Sequence, residues 1–214
     1  MNKSEELLRL KEKMQNDVSL PLREGATQLV FGEGNCDTEL YFLGEAPGYY
    51  EDRDGRPFVG LAGKLLDQLI QSIGYARSDV YISNVVRFRP PANRDPLPEE
   101  IEAFQPYVDK EIEIINPKVI VTLGRFSMGK FLPEARISQV HGQVFNVDWN
   151  GKKVTVIPMY HPAAALRSTA ILASIKEDFA KIKEFLEGKE SSNSVENTEN
   201  LESEKEEVNQ LSLI

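Results

Sequence analysis

Cysteine is almost missing from this chain: Cys36 is the only one in 214 residues. A single thiol forms no internal disulfide and cannot hold a metal cluster alone. Cys36 reads instead as a small, half-buried side chain beside a strand. Long hydrophobic runs are also missing. None approaches the ~20 residues that span a bilayer, so no membrane partner is expected. The start, Met1 to Glu6, has no apolar stretch behind a basic segment. No secretory signal is expected there, and a cytoplasmic location is the default reading. A glycine-rich phosphate fingerprint is absent too, which counts against a small-nucleotide-binding α/β protein. Basic charge is in deficit, with 25 Lys and Arg against 34 Asp and Glu, a net charge of −9. That balance does not exclude a nucleic-acid partner, because six of the nine negative charges lie between Glu187 and Ile214. The body is close to neutral, and Arg53, Arg56, Arg87, Arg89, Arg94 and Arg167 gather near its loops. A local patch is enough to hold a polyanion.

What remains is the composition of a folded domain: 41% hydrophobic and 28% charged residues. Four β-branched or aromatic runs read as core strands. They are Thr38–Leu43, Val80–Val86, Lys118–Leu123 and Val154–Ile157. A short edge strand is expected at Leu29–Phe31. Asn150-Gly151 predicts a tight turn joining Val144–Trp149 to Lys152–Ile157. Helical periodicity predicts helices over Ser4–Met14 (capped by Ser4), Ala62–Ile73, Pro98–Ile115, Phe126–Phe131 and Ile171–Leu186. Gly74 ends the second as a C′ residue. Glu51 to Arg56 reads as a polar turn. Alternating strands and helices give a three-layer α/β/α sandwich with a mainly parallel, about four-stranded sheet. The body spans residues 1–186. An acidic linker expected to be disordered occupies 187–209, and an apolar peptide occupies 210–214.

In a parallel sheet the loops after successive strands share one edge, where ligands bind. The first such loop is Gly44-Glu45-Ala46-Pro47-Gly48, with Glu51 close behind. Alone it reads equally well as a strand-to-loop turn with an exposed acid. Asn84 ends the second strand, His161 follows the fourth, and Phe58 sits in an apolar turn after the first loop. Taken separately, Asn84 is a turn residue, His161 a strand cap and Phe58 a core side chain. Together they suit a flat heterocycle. Phe58 can stack on it, the Asn84 amide can donate and accept at adjacent ring atoms, and His161 can stabilise charge on a ring carbonyl. Glu45 can orient water. That equipment fits removal of a base from a nucleotide.

Three segments carry a family resemblance. They are Gly44–Gly48 with Glu51-Asp52 and Gly55–Leu66, then Asn84–Pro96, then His161–Arg167. In this order and spacing, the chain resembles a family 4 uracil-DNA glycosylase over most of Leu7–Leu186. The resemblance implies excision of uracil from single- or double-stranded DNA by a metal-free mechanism, as a step of base excision repair. It implies a catalytic set of Glu45, Asn84 and His161. It implies a uracil pocket of Gly44, Glu45, Ala46, Glu51, Phe58, Asn84 and His161, in which Asn84 reads N3–H and O4 and Glu51 excludes the thymine methyl. Arg89, Asn93 and Arg94 would grip DNA, and Ala165, Leu166 and Arg167 would wedge into the duplex. A second reading is a relative that binds uracil or DNA but cleaves poorly. A monomer is the default.

Members of that family typically hold an iron–sulfur cluster on four cysteines. The corresponding positions here are Asp17, Leu20, Phe88 and Phe104, none of which supplies a thiolate. No cluster is therefore expected, with apolar packing in its place. The related enzymes with an inserted basic, histidine-bearing loop are a poor match, since nothing is inserted after Pro96. The end of the chain, Gln210-Leu211-Ser212-Leu213-Ile214, resembles the peptide by which bacterial repair proteins bind the replication sliding clamp. Leu213 and Ile214 would fill an apolar pocket, Leu211 would accompany them, and Gln210 would bond at the rim.

Overall fold

In the computed structural model, residues 2–188 are described, so the expected linker beyond Gly188 and the clamp peptide lie outside the described residues. The sheet has six strands: β1 (Glu33–Gly34), β2 (Leu40–Gly44), β3 (Tyr81–Asn84), β4 (Val119–Leu123), β5 (Phe145–Trp149) and β6 (Lys152–Met159). Their order is β1-β3-β2-β4-β6-β5. The inner four are mutually parallel and are the four core strands expected. The edges are antiparallel, which raises the expected count from four to six. β5 and β6 form the hairpin around Asn150-Gly151, both with positive φ.

Eight α-helices accompany them among the described residues: α1 (Lys3–Asn16), α2 (Tyr49–Asp54), α3 (Leu61–Ser72), α4 (Pro98–Ile115), α5 (Arg125–Gly129), α6 (Ile137–Val140), α7 (Pro162–Ala165) and α8 (Thr169–Leu186). Strand alternation divides the core. Tyr41, Leu43, Tyr81 and Ile120 face one layer, with Leu10, Phe104, Val108 and Ile112 from α1 and α4. Leu40, Phe42, Ile82 and Val121 face the other, with Leu66, Ile70, Ile175 and Phe179 from α3 and α8. Every residue of β2, β3 and β4 is buried, because both faces of the sheet are covered.

Several local expectations are corrected. Asn2, not Ser4, caps α1, its Oδ1 accepting from the Glu5 N–H at 2.8 Å. Leu29–Phe31 is buried but is not a strand. The Val30 N–H donates instead to the Arg87 carbonyl beyond β3, at 2.9 Å. The edge strand is Glu33–Gly34. The stretch read as a polar turn is largely α2, closed by Gly55 at φ 69°. Gly74 has the left-handed φ expected of a C′ residue, 92°. α5 stops at Gly129, two residues before the expected Phe131, and α8 starts at Thr169 on a Ser168 cap.

Candidate active site

The loops after β2, β3 and β6 meet at the C-terminal edge of the sheet and enclose a cleft of about 410 Å³. Its lining includes Glu45, Ala46, Glu51, Phe58, Asn84 and His161, so those pocket residues converge as expected. Asn93, Arg94 and Arg167 reach its rim. Backbone pairing fixes the floor, because β2 and β3 align Gly44 with Asn84. Beyond the strands, the Val85 and Val86 N–H groups donate to the Gly44 and Glu45 carbonyls at 3.0 and 2.9 Å.

Asn84 is 2% exposed, and its side-chain oxygen is buried without a hydrogen-bond partner. A buried polar group left unpaired costs about 1–3 kcal/mol, so this oxygen is free to accept from a ligand that enters the cleft. Gly44 makes room beside it. A Cβ there would lie 2.4 Å from the Asn84 oxygen and 2.5 Å from Phe58 Cζ. Phe58 is also buried, so it serves the core and the cleft together. It holds a positive φ of 51° and stacks near the His161 ring at a centroid distance of 5.6 Å.

Glu51 explains how Phe58 is held. Its carboxylate accepts the Val59 and Gly60 N–H groups, both at 2.9 Å, and the Gly48 N–H at 3.2 Å. It therefore fastens the first loop to the turn that carries Phe58. Arg77, which the sequence did not single out, braces the turn from outside. Its guanidinium donates to the Pro57 and Phe58 carbonyls and pairs with Glu33 and Asp67.

His161 caps α7. Its Nδ1 accepts the Ala163 N–H at 3.1 Å, so the neutral ring carries its proton on Nε2. Burial pushes its pKa down to about 4, against a smaller opposing pull from Glu51. The ring is thus a neutral donor at physiological pH. Glu45 moves the other way. Burial, then the nearby Asp95 carboxylate, push its pKa up to about 7, partly opposed by Arg125. A carboxyl poised there can hold and deprotonate a water.

The expected arginine patch is smaller in the structure. Arg87 is fully buried, pairing with Glu111 at 2.8 Å and donating to Ser83. Tyr41 donates to the same Glu111 at 2.6 Å. Arg53 and Arg56 pair with Asp54 and Glu33. Arg94 is clamped by Glu100 at 2.6 and 2.8 Å. Arg89 bonds Asn93 through Nε at 2.7 Å, and Arg167 has no side-chain partner among the described residues. Leu166 is 51% exposed, whereas Ala165 is buried and so is not itself presented at the surface.

The four positions matched to cluster cysteines hold Asp17, Leu20, Phe88 and Phe104. Leu20, Phe88 and Phe104 share one core cluster, and the two phenylalanine rings lie 6.1 Å apart. Asp17 accepts from the Tyr107 hydroxyl at 2.5 Å on α4. This donor set, one engaged carboxylate and three hydrocarbons, does not fit an iron–sulfur cluster.

The model of the uracil DNA glycosylase superfamily matches residues 31–187. A type-4 uracil-DNA glycosylase of Sulfurisphaera tokodaii is 45% identical over 185 residues, covering 84% of each chain. That of Archaeoglobus fulgidus is 48% identical over 169 residues, covering 77% of this chain and 85% of its own. That of Thermotoga maritima is 44% identical, covering 85% of this chain and 96% of its own.

Proposed function

Because the chain belongs to the uracil DNA glycosylase superfamily, we propose that it is a uracil-DNA glycosylase that hydrolyses the bond between uracil and deoxyribose in DNA. The single observation that carries this reading is the buried, unpartnered amide oxygen of Asn84 in the cleft that Phe58 and His161 line. An inserted uracil satisfies that amide through N3–H and O4. Cytosine presents the opposite donor and acceptor there and leaves it unpaired, which is the stronger form of discrimination.

In the proposed reaction the C1′–N1 bond breaks with its electron pair going to N1. The neutral Nε2–H of His161 donates to O2 and stabilises the departing anion. Water held by Glu45 adds its oxygen to C1′, and its proton passes to the carboxylate. The chain's own side chains supply each of these steps, in keeping with a metal-free mechanism. Glu51 acts as a positioning residue through Val59 and Gly60, in addition to bordering the pocket. Arg167 on the rim, and Arg89, which bonds the rim residue Asn93, are the arginines best placed for phosphate. Arg94 reaches DNA only by leaving Glu100.

The test is incubation with single-stranded, U:A and U:G oligonucleotides followed by alkali, with Asn84→Ala and His161→Ala as controls. Strand scission well above both variants supports the enzyme. Uracil-DNA binding without scission would replace it by a binding module. The colour and iron content of aerobically purified protein test the cofactor reading: a colourless, iron-free active enzyme supports it, and stoichiometric iron refutes it. For the terminal peptide we propose the sliding clamp as partner. The motif Gln210–Ile214 behind an acidic segment supports this. Equal clamp pull-down with and without residues 210–214 would refute it.

A further inference from the structure

α2 is anchored from beneath. Asp52 is buried and accepts the Thr27 N–H at 2.8 Å and the Thr27 hydroxyl at 2.7 Å, while Glu51 holds the turn beside it. This anchoring leaves Tyr49 and Tyr50 facing solvent, 54% and 50% exposed, directly after the cleft residue Gly48. Two large aromatics this open contribute little to the core. Their rings meet edge to face, with centroids 5.4 Å apart and planes at 81°. The Arg89 guanidinium lies 5.2 Å from the Tyr49 ring, and that of Arg53 lies 5.4 Å from the Tyr50 ring. Asp54 takes the charge of Arg53. Arg89 is anchored only through Nε, and neither Nη has a hydrogen-bond partner among the described residues.

We propose that Tyr49 and Tyr50, with Arg89, form a stacking platform for unpaired bases of single-stranded DNA beside the flipped uridine. This rests on the glycosylase reading and extends it to substrate preference. Aromatic faces stack any base without reading sequence, and a free guanidinium edge takes the adjoining phosphate. In a duplex the flanking bases already stack on their neighbours. A single strand offers them to the protein, so the platform favours single-stranded substrate.

The test compares the wild type with Tyr49→Ala/Tyr50→Ala and Tyr49→Phe/Tyr50→Phe on one uracil sequence, single-stranded and as U:A duplex. The ratio of single-strand to duplex kcat/KM falls about tenfold in the alanine variant and is retained in the phenylalanine variant. An unchanged ratio, or an equal fall in both variants, overturns the platform. Binding of uracil-free oligo-dT, followed by anisotropy, reads the platform without excision. The alanine variant binds about tenfold more weakly, and equal binding overturns the proposal. Absence of excision by the wild type would strike the glycosylase reading and leave the oligo-dT result standing.

Discussion

Gly44→Ala isolates the shape of the pocket from its chemistry. Gly44 ends β2, and its φ lies outside the left-handed region, so alanine carries no backbone strain there. The cost is steric. The added methyl would meet the Asn84 oxygen at 2.4 Å and Phe58 Cζ at 2.5 Å, about 1 Å inside normal contact. Neither neighbour yields easily: Asn84 is at the end of a central strand and Phe58 is held through Glu51. Overpacking costs about 1–3 kcal/mol. Loss of glycine's freedom in the unfolded chain offsets about 0.4–1 kcal/mol of that. The net stability change is therefore small to moderate, a fall of about 0–2.5 kcal/mol. Activity suffers more, because a displacement of about 1 Å at the reacting groups costs about 100-fold. Steady-state excision from a uracil oligonucleotide, beside urea unfolding, separates the two. A variant that keeps more than a tenth of wild-type kcat/KM while folding normally would refute the packing argument.

Three other perturbations have signs set by the structure. kcat/KM should rise with pH through an apparent pKa near 7 as Glu45 ionises, and no second limb from His161, near 4, should enter between pH 5.5 and 9. Glu45 has a raised folded-state pKa, so its stabilising share is full below about pH 4.5 and is lost as pH rises through about 7. Glu45→Gln should therefore gain thermal stability over the wild type above pH 7, match it in acid, and lose the activity limb; an unchanged Tm difference across pH 4–9 would contradict this. His161→Ala should lower kcat by about 100- to 1000-fold, since it removes a sheltered donor to the leaving base, and a loss below tenfold in single-turnover assays would reject that role. Arg87→Met leaves Glu111 charged in the core and should cost about 3–5 kcal/mol in urea unfolding, with Arg87→Met/Glu111→Leu recovering much of it. A single-variant loss below ~1 kcal/mol would refute the reading of Arg87–Glu111 as a buried ion pair.

The parallel strands were legible because β-branched runs buried on both faces leave an unbroken apolar trace. The hairpin was legible because Asn150-Gly151 needs the positive φ it shows. β1 left no such trace: two residues pair because β3 lies beside them, not from propensity. α2 was hidden because Gly48, at its cap, has no side chain, so the link from Glu51 runs through backbone alone. The pocket residues could be found since each follows a strand end. Their division of labour could not, because two of the three amides held by Glu51, those of Val59 and Gly60, depend on a turn folding back eight and nine residues later. The arginines misled most. Arg87 looked like surface charge between Val86 and Phe88, although Glu111 interrupts the apolar stripe of Tyr107, Val108 and Ile112 on α4 and could have marked a buried partner.

The Ala163 amide that fixes the His161 ring belongs to the short helix leading into Leu166 and Arg167. One hook of seven residues, His161–Arg167, would therefore carry both proposed duties, leaving-group stabilisation and insertion into the helix of DNA. A change of length or sequence within His161–Ala165 would reset the imidazole along with the wedge. On the proposed roles, duplex engagement and bond breaking share the segment His161–Ala165, and variation there acts on both. An engineer who wants a different DNA grip should leave His161 through Ala165 intact and begin the exchange at Leu166.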